Sequence, residues 1–226
     1  WATWLSLPDK PAIDPSMAKQ EVVSADWSPL EVKLLNTVDI FLHKPAIMKK
    51  AEANLTALKQ EIVKTLSHAP HPCPPETDIA KGQIVRGENH NGFPFISLDM
   101  PQMFSKSQMF TYRTLFWWGH DLIFSLILKQ ENQVPLIEKL IHLKEHPEWK
   151  DIQLAIAPTP WEWKKDINNF IPLLEASEIR IRNIINSVQY IKLCRFHSLT
   201  TPEFPKLNWT SAGLATWKTL SKVCAD

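Results

Sequence analysis

The chain contains little glycine, and its positive and negative charges nearly balance. These two features argue against glycine-rich phosphate-binding or nucleophile motifs and against nucleic-acid binding. Five glycines occur in 226 residues, and the chain contains no GxxxxGK[ST] or GxGxxG phosphate-binding motif and no GxSxG nucleophile turn. The formal net charge is +1, which argues against a nucleic-acid binder because such proteins depend on a basic surface. No uninterrupted apolar run approaches about 18 residues, so the sequence predicts no membrane span.

Cysteine is scarce as well. Cys73, Cys194 and Cys224 lie far apart and form no CxxC pair, which argues against a disulfide framework and favours reduced thiols in the cytoplasm. Because the chain starts with Trp1 rather than Met, the presence of an earlier, cleaved signal peptide stays open. No motif points to a cofactor, and none is predicted.

Tryptophan and proline, by contrast, are plentiful, with ten and 18 copies. A tryptophan-rich core is the ordinary explanation, and an aromatic ligand pocket is the alternative. If the segment Trp161-Glu162-Trp163 is extended, its two indoles lie on one side, either as a ligand platform or lid or as a clamp over the core edge.

Four prolines between Ala69 and Glu76 exclude both helix and central strand there.

We therefore predict a single domain with three parts: a helical part at 1–68, a proline-rich linker at 69–81 and an α+β part at 82–226. After an extended arm at 1–27, Ser28 caps a first helix, with Pro29 at its first position and Glu31 completing a capping box. Pro45 opens a second helix that ends near residue 67. The two helices predict a helical hairpin or one bent helix.

The rest of the chain alternates between strand and helix patterns. Strands are predicted at 83–88, 93–99, 109–118, 121–129, 152–157 and 190–196, and helices at 133–144, at 170–187 and after the cap Thr210. This order indicates an α+β fold with a mainly antiparallel sheet. The sheet is expected to be built on a central β-hairpin at about 109–129, packed by the N-terminal helical hairpin and the C-terminal helices.

The central hairpin carries an anomaly. Gly119-His120 predicts a two-residue turn, which pairs Trp117 with Leu122 and Arg113 with Leu126. That register places Arg113 on the more apolar face, where an unpaired guanidinium is costly. Glu88 and Asp99 are its candidate partners. Three interpretations stay open: a structural ion pair, an arginine that binds an anionic ligand while the carboxylates orient it, and a side chain extending to solvent.

Polar residues near the strand ends provide a second candidate for chemistry. They are Glu88, Asn89, His90, Asp99, His120 and Asp121. Such a set could ligate a divalent ion or transfer protons. However, no HxxxH, HExxH or HxH spacing supports a metal, and a plain turn also explains asparagine beside glycine. No metal is predicted.

Four short segments within residues 81–129 form a specific pattern. They are Arg86-Gly87-Glu88-Asn89, Gly92-Phe93-Pro94-Phe95, Leu98-Asp99-Met100-Pro101 and Tyr112-Arg113-Thr114-Leu115-Phe116-Trp117-Trp118-Gly119. This pattern resembles a bacterial family, found mostly in Bacteroidetes, that carries R-G-E-N-x-x-G-x-P, L-D-x-P and R-T-x-F-W-W-G. Where the family has tyrosine and an aromatic residue, this chain has His90 and Met100. No activity is established for that family, so the resemblance implies a bacterial cytoplasmic protein and transfers no catalytic residue.

These observations predict a non-enzymatic binding or interaction domain, because no known catalytic constellation occurs. The expected partner is a small anionic ligand, not nucleic acid or a membrane. The candidate ligand-binding residues are Arg86, Glu88, Asn89, Asp99, Arg113, Trp118 and His120. Arg113 would meet the anionic group and Trp118 would stack on the ligand. Two alternatives stay open: a hydrolase-like enzyme using Glu88 or Asp99 with His120, with or without a metal, and a homodimer built on exposed tryptophans.

Overall fold

The computed structural model describes residues 26–68 and 70–225, so almost all of the arm predicted at 1–27 lies outside the described residues. Within them the chain forms five α-helices and seven strands, which confirms an α+β fold. The helices are α1 (Pro29–Leu35), α2 (Asp39–His68), α3 (Val134–Leu143), α4 (Glu178–Val188) and α5 (Trp209–Leu220). The strands are β1 (Gln83–His90), β2 (Phe93–Phe104), β3 (Met109–Trp117), β4 (Asp121–Lys129), β5 (Gln153–Ala155), β6 (Phe170–Pro172) and β7 (Ile191–Ser198). The chain divides into two units, at 1–43 and 44–226.

The strands form one antiparallel sheet in the order β1-β2-β3-β4-β7-β5-β6. The first four strands follow each other along the chain, as short turns allow in antiparallel sheets. Strand β7 returns from the C-terminal part of the chain and pairs with β4. The predicted central hairpin therefore lies in the middle of the sheet.

The two faces of the sheet have different neighbours, because successive side chains of a strand point to opposite sides. One face packs with α2, α3, α4 and α5 in the main core, and we call it the helix-covered face. The opposite face, here called the second face, forms a smaller core. Its buried members are Leu115, Trp117, Ile123, Ile127, Ala155, Trp163, Phe170, Tyr190 and Cys194.

The first N-terminal helix is shorter than predicted, and the second begins earlier. Ser28 and Glu31 form the predicted capping box, but α1 has seven residues and buries none of them. The break between the helices comes at residues 36–38, and α2 runs through Pro45. Proline in the second turn of a helix removes a single backbone hydrogen bond, which the rest of a 30-residue helix outweighs. The buried stripe of α2 begins at Met48.

Two C-terminal predictions also need correction. The predicted helix 170–187 is the strand β6 followed by α4, which begins after the cap Ser177. The last helix begins at Trp209 because Asn208, rather than Thr210, accepts the capping bond from the backbone N–H of Ser211, at 2.9 Å.

The predicted hairpin register is wrong by one residue. The connection between β3 and β4 has three residues, 118–120, with Gly119 at a φ of +76°. Arg113 consequently pairs with Ser125, and Phe116 pairs with Leu122. A slip of one residue exchanges the faces of a strand. Arg113 therefore shares the second face with Ile123 and Ile127, instead of lying against the helices.

Candidate functional site

A row of polar side chains crosses the second face from strand to strand. Directly paired positions place Asp99 beside Arg113, Arg113 beside Ser125, Ser125 beside Cys194, and Cys194 beside Gln153. These positions share a face because they are cross-strand partners. The second face is thus polar along one line and apolar on both sides of it.

Asp99 holds the Arg113 guanidinium with both carboxylate oxygens. Nε donates to Oδ1 at 2.8 Å and Nη2 donates to Oδ2 at 2.7 Å, while Thr111 donates a further bond to Oδ1 at 2.8 Å. The Asp99 side chain is 2% exposed and the Arg113 side chain is 19% exposed. The predicted pairing of Arg113 with Asp99 is confirmed, and its bidentate geometry fixes the plane of the guanidinium.

Asp99 leaves one end of the Arg113 guanidinium, Nη1, unengaged. Its Nη1 amine forms no hydrogen bond with the residues that the structure describes, and it is not among the buried unpaired atoms. Arg113 is therefore a cation oriented by Asp99, with donor hydrogens on Nη1 that Asp99 does not use.

Two indoles lie over Arg113. Its Cζ atom is 4.8 Å from the ring centre of Trp161 and 5.8 Å from that of Trp163. Both distances are within the range of cation–π attraction. Trp163 is buried in the second-face core, whereas Trp161 is 38% exposed. The predicted Trp161-Glu162-Trp163 platform therefore lies above the arginine, with Trp161 at the solvent boundary.

The connection between β5 and β6, residues 156–169, carries these indoles, and we call it the covering loop. Lys192, which is 0% exposed, donates to the carbonyl oxygens of Pro160 at 2.9 Å and Glu162 at 2.6 Å. Its Nζ also lies 3.3 Å from the ring centre of Trp163. A lysine in the middle of the sheet thus anchors the loop that carries Trp161.

Burial sets the ionisation of Lys192. Loss of water around the ammonium lowers the pKa of Lys192 from 10.5 to about 8. Tyr190 reinforces the anchor, since its hydroxyl donates to the carbonyl oxygen of Ala157 at 2.6 Å. The covering loop is therefore held by side-chain contacts to its backbone, which position its indoles.

An aromatic group that includes two histidines lies near the turns of this sheet. The His120 ring stacks on Trp117 at 3.6 Å between centres, and the His90 ring meets Trp117 edge-on at 5.0 Å. The Nε2 atoms of both histidines are buried and accept or donate no hydrogen bond within the described part of the chain. Burial lowers the pKa of His90 and raises the pKa of Asp121. Burial therefore favours the uncharged form of the His90 imidazole.

The other predicted site residues lie elsewhere. Arg86 pairs with Glu52, and Glu88 pairs with Lys44 while its side chain is 75% exposed. Asn89 accepts a hydrogen bond from the backbone N–H of Gly92 at 2.8 Å, which is a turn contact. The structure thus assigns these three side chains to surface pairs and a turn, rather than to the Arg113 site.

The predicted position of Trp118 is also wrong. It packs against the main core, not above Arg113, because the three-residue hairpin loop begins at this residue. Trp161 and Trp163 take the position that we expected for it. His120 does lie beside a second-face residue, Trp117.

Lys192 and Thr111 are site residues that sequence reasoning missed. Lys192 stands between apolar residues in the segment from Tyr190 to Cys194, and this was a usable signal, since a charge in a buried strand needs partners. Its partners are backbone carbonyls of the covering loop, and no sequence pattern identifies such acceptors.

Among the described residues, no group of three or more His, Cys, Asp or Glu side chains is placed to hold a metal ion. The set of Glu88, His90, Asp99, His120 and Asp121 therefore does not assemble into a metal centre. No described helix is long and apolar enough to cross a membrane.

The comparisons with known proteins add no further assignment. No family model, no curated protein and no solved structure matches this chain.

Proposed function

We propose that this chain is a non-enzymatic binding domain that holds a small anionic ligand at Arg113, beneath Trp161. The supporting observation is that Asp99 fixes the guanidinium while Nη1 keeps its hydrogens unbonded to the described residues. A group oriented before the ligand arrives loses little further freedom on binding, and this favours affinity.

The surroundings of Arg113 favour a ligand with one negative charge. Asp99 balances one of the two cations, Arg113 and Lys192, because the carbonyl partners of Lys192 are neutral. The three side chains therefore carry one excess positive charge, which a single negative charge on the ligand would balance. A carboxylate that accepts hydrogen bonds from Nη1 and places a flat group against the Trp161 ring matches these contacts.

The hydrolase alternative has less support. Glu88 is bound to Lys44 at the surface, and Asp99 accepts three hydrogen bonds from Arg113 and Thr111. A general base needs a carboxylate that can accept a proton from the substrate. Neither group is arranged for that task.

We also propose a bacterial cytoplasmic setting. The three cysteines are free thiols, which fits a reducing compartment. The resemblance of residues 81–129 to a bacterial family supports the same setting. The homodimer stays a prediction.

Benzoate tests the proposal because it joins one carboxylate to one flat ring. Benzoate titrated into 15N-labelled protein should shift the Trp161 indole N–H resonance, assigned with Trp161→Phe, along a saturating curve. Arg113→Met should abolish that curve, because it removes the oxygen-binding donors. Cyclohexanecarboxylate, which lacks the flat ring, should bind less tightly than benzoate.

The matched control is Arg182→Met, which removes an arginine that pairs with Glu138 on the surface. This variant should bind benzoate like the wild type. Trp161→Ala, at the solvent boundary, should weaken binding without disturbing the sheet and serves if Arg113→Met does not fold. Because this variant lacks the reporter indole, its titration is followed through the backbone N–H resonances of the covering loop. Equal benzoate binding by wild type, Arg113→Met and Trp161→Ala would reject the site, as would an absence of any saturable shift in the wild type.

A further inference from the structure

Exposed apolar side chains are concentrated in one short segment near the start of the described chain. Among the described residues, 17 large hydrophobic side chains are exposed, and nine of them lie within residues 27–42, which we call the apolar segment. Trp27, Leu30, Phe41 and Leu42 are the most open of the nine, at 64–72% exposure. Single exposed apolar residues are ordinary, but a concentration of this kind indicates an interaction surface.

The helix α1 lies within the apolar segment and packs none of its residues into a core. It has seven residues, and all of them are exposed. A helix of this length is marginal in water by itself, and most helices in proteins are stabilised by the packing of an apolar face. The apolar side chains of α1 therefore point to a partner surface outside the described residues.

The apolar segment is large enough for a stable interface. From their exposed fractions, its nine side chains present roughly 1,000 Å² to water. The largest apolar patch on a monomeric protein usually covers about 300–600 Å². A stable protein–protein interface buries about 800 Å² on each partner. The segment exceeds the first value and reaches the second.

The charges of the segment argue against a lipid surface as its partner. Residues 26–43 carry three carboxylates and one lysine: Asp26, Glu31, Asp39 and Lys33. Helices that lie on anionic membranes instead carry lysine and arginine on their polar face. A second copy of this chain offers an apolar area of the same size and requires no basic residues. Most soluble oligomers are homo-oligomers, and in a twofold dimer the same surface of each copy meets itself.

We propose that the chain forms a homodimer in which the apolar segment of one copy packs against the apolar segment of the other. Leucine and phenylalanine side chains supply most of this interface, and Trp27 is its one tryptophan. The interface therefore differs from one built on exposed tryptophans in general. The arginine site uses no residue of the segment, so dimerisation and anion binding can each fail without the other.

Sedimentation equilibrium of the full chain at micromolar concentrations tests the proposal. The wild type should have the mass of two chains. Leu30→Glu and Phe41→Glu should each raise the dissociation constant of the dimer by about 100-fold, because each change removes two buried apolar side chains from a twofold interface. Both residues lie in the first turn of a helix, where glutamate is favourable, and both are exposed. Circular dichroism should therefore show an unchanged fold in both variants.

Ile179→Glu is the matched control. Ile179 lies in the first turn of α4 and is 72% exposed, which is the exposed fraction of Phe41, but it lies outside the apolar segment. This variant should dimerise like the wild type. The proposal is overturned if the wild type is a monomer, or if Leu30→Glu and Phe41→Glu dimerise as tightly as the wild type. A loss in Ile179→Glu as large as that in Phe41→Glu would also overturn it.

A photo-cross-linker identifies what lies against the segment. When p-benzoylphenylalanine replaces Phe41 in a mixture of 14N-labelled and 15N-labelled chains, mass spectrometry should find cross-links between light and heavy chains within residues 27–42. Cross-links confined to residues 1–25 of the same chain would show that the chain covers its own segment, and would overturn the proposal. Flotation of the wild type with phosphatidylglycerol vesicles, lost in Phe41→Glu, would assign the segment to a lipid surface and would equally overturn it.

Discussion

Asp99 and Arg113 depend on each other, because each would be a buried charge without its partner. Replacing one member of such a pair costs more than replacing both, since the survivor stays desolvated. The sequence led to this pair in spite of a wrong register. A guanidinium in a strand of apolar residues needs an acidic neighbour whichever face of the sheet it occupies. Asp99 lies on the adjacent strand.

Arg113→Met is expected to lower the free energy of unfolding by about 3 kcal/mol, because Asp99 would keep only its Thr111 bond. Adding Asp99→Asn to this variant should restore part of the loss, since the residual buried charge disappears. Urea denaturation of the wild type, both single variants and the double variant measures the coupling. Strictly additive losses would show that the two side chains do not act as a pair.

Glu88 and Trp118 show where residue-level reasoning failed. The position of Glu88 depends on the irregular pairing of β1 between Gly87 and His90, and its partner Lys44 comes from α2. Trp118 was misplaced because its position depends on the length of the hairpin loop. Neither an irregular pairing nor a long-range partner is encoded in local spacing.

At the scale of elements, Gly213 of α5 faces Leu58 of α2 and Phe124 of β4. A Cβ atom there would lie 2.7 Å from Leu58 Cδ1 and 3.0 Å from Phe124 Cε1. Both neighbours are fully buried, so neither can move without repacking the main core. The glycine is therefore required for the packing of α5 on α2 and on the sheet.

Gly213→Ala should accordingly destabilise the protein by about 1–3 kcal/mol, the usual cost of overpacking. In an isolated helix the same change would stabilise by about 1 kcal/mol. Because overpacking and helix propensity change the free energy of unfolding in opposite directions, thermal or urea denaturation shows which of the two effects dominates. In a Leu58→Ala background the added methyl group has room, so Gly213→Ala should be harmless or favourable there. A stabilising effect in the wild-type background would contradict the packing argument.

At the scale of the whole molecule, buried titratable groups give stability a distinct pH dependence. The folded pKa of Lys192, about 8, is below its ordinary value of 10.5. Between these values the unfolded chain binds a proton that the folded chain does not, so stability rises with pH in this window. Below about pH 8 the Lys192 side chain is charged in both the folded and the unfolded chain, and the cost of burying this charge is fully present.

The three thiols have the opposite effect. Their folded pKa values are raised to about 12, so above pH 9 they make stability fall as pH rises.

We expect the free energy of unfolding of the wild type, relative to Lys192→Met, to increase by about 1 kcal/mol between pH 8 and pH 9. Subtracting the variant removes the contribution of titrating groups whose pKa does not depend on Lys192. Urea denaturation at closely spaced pH values gives this difference. A difference that stays flat across the window would mean that Lys192 keeps its ordinary pKa.

The amino-acid sequence by itself determined the α+β class, the positions of the central strands, the cap of α1 and the need for an acid beside Arg113. Each of these follows from local chemistry or from side-chain periodicity, which a short segment contains in full. The tertiary structure alone decided which face of the sheet Arg113 occupies and which indoles cover it. Those outcomes depend on one residue of loop length and on contacts between distant segments.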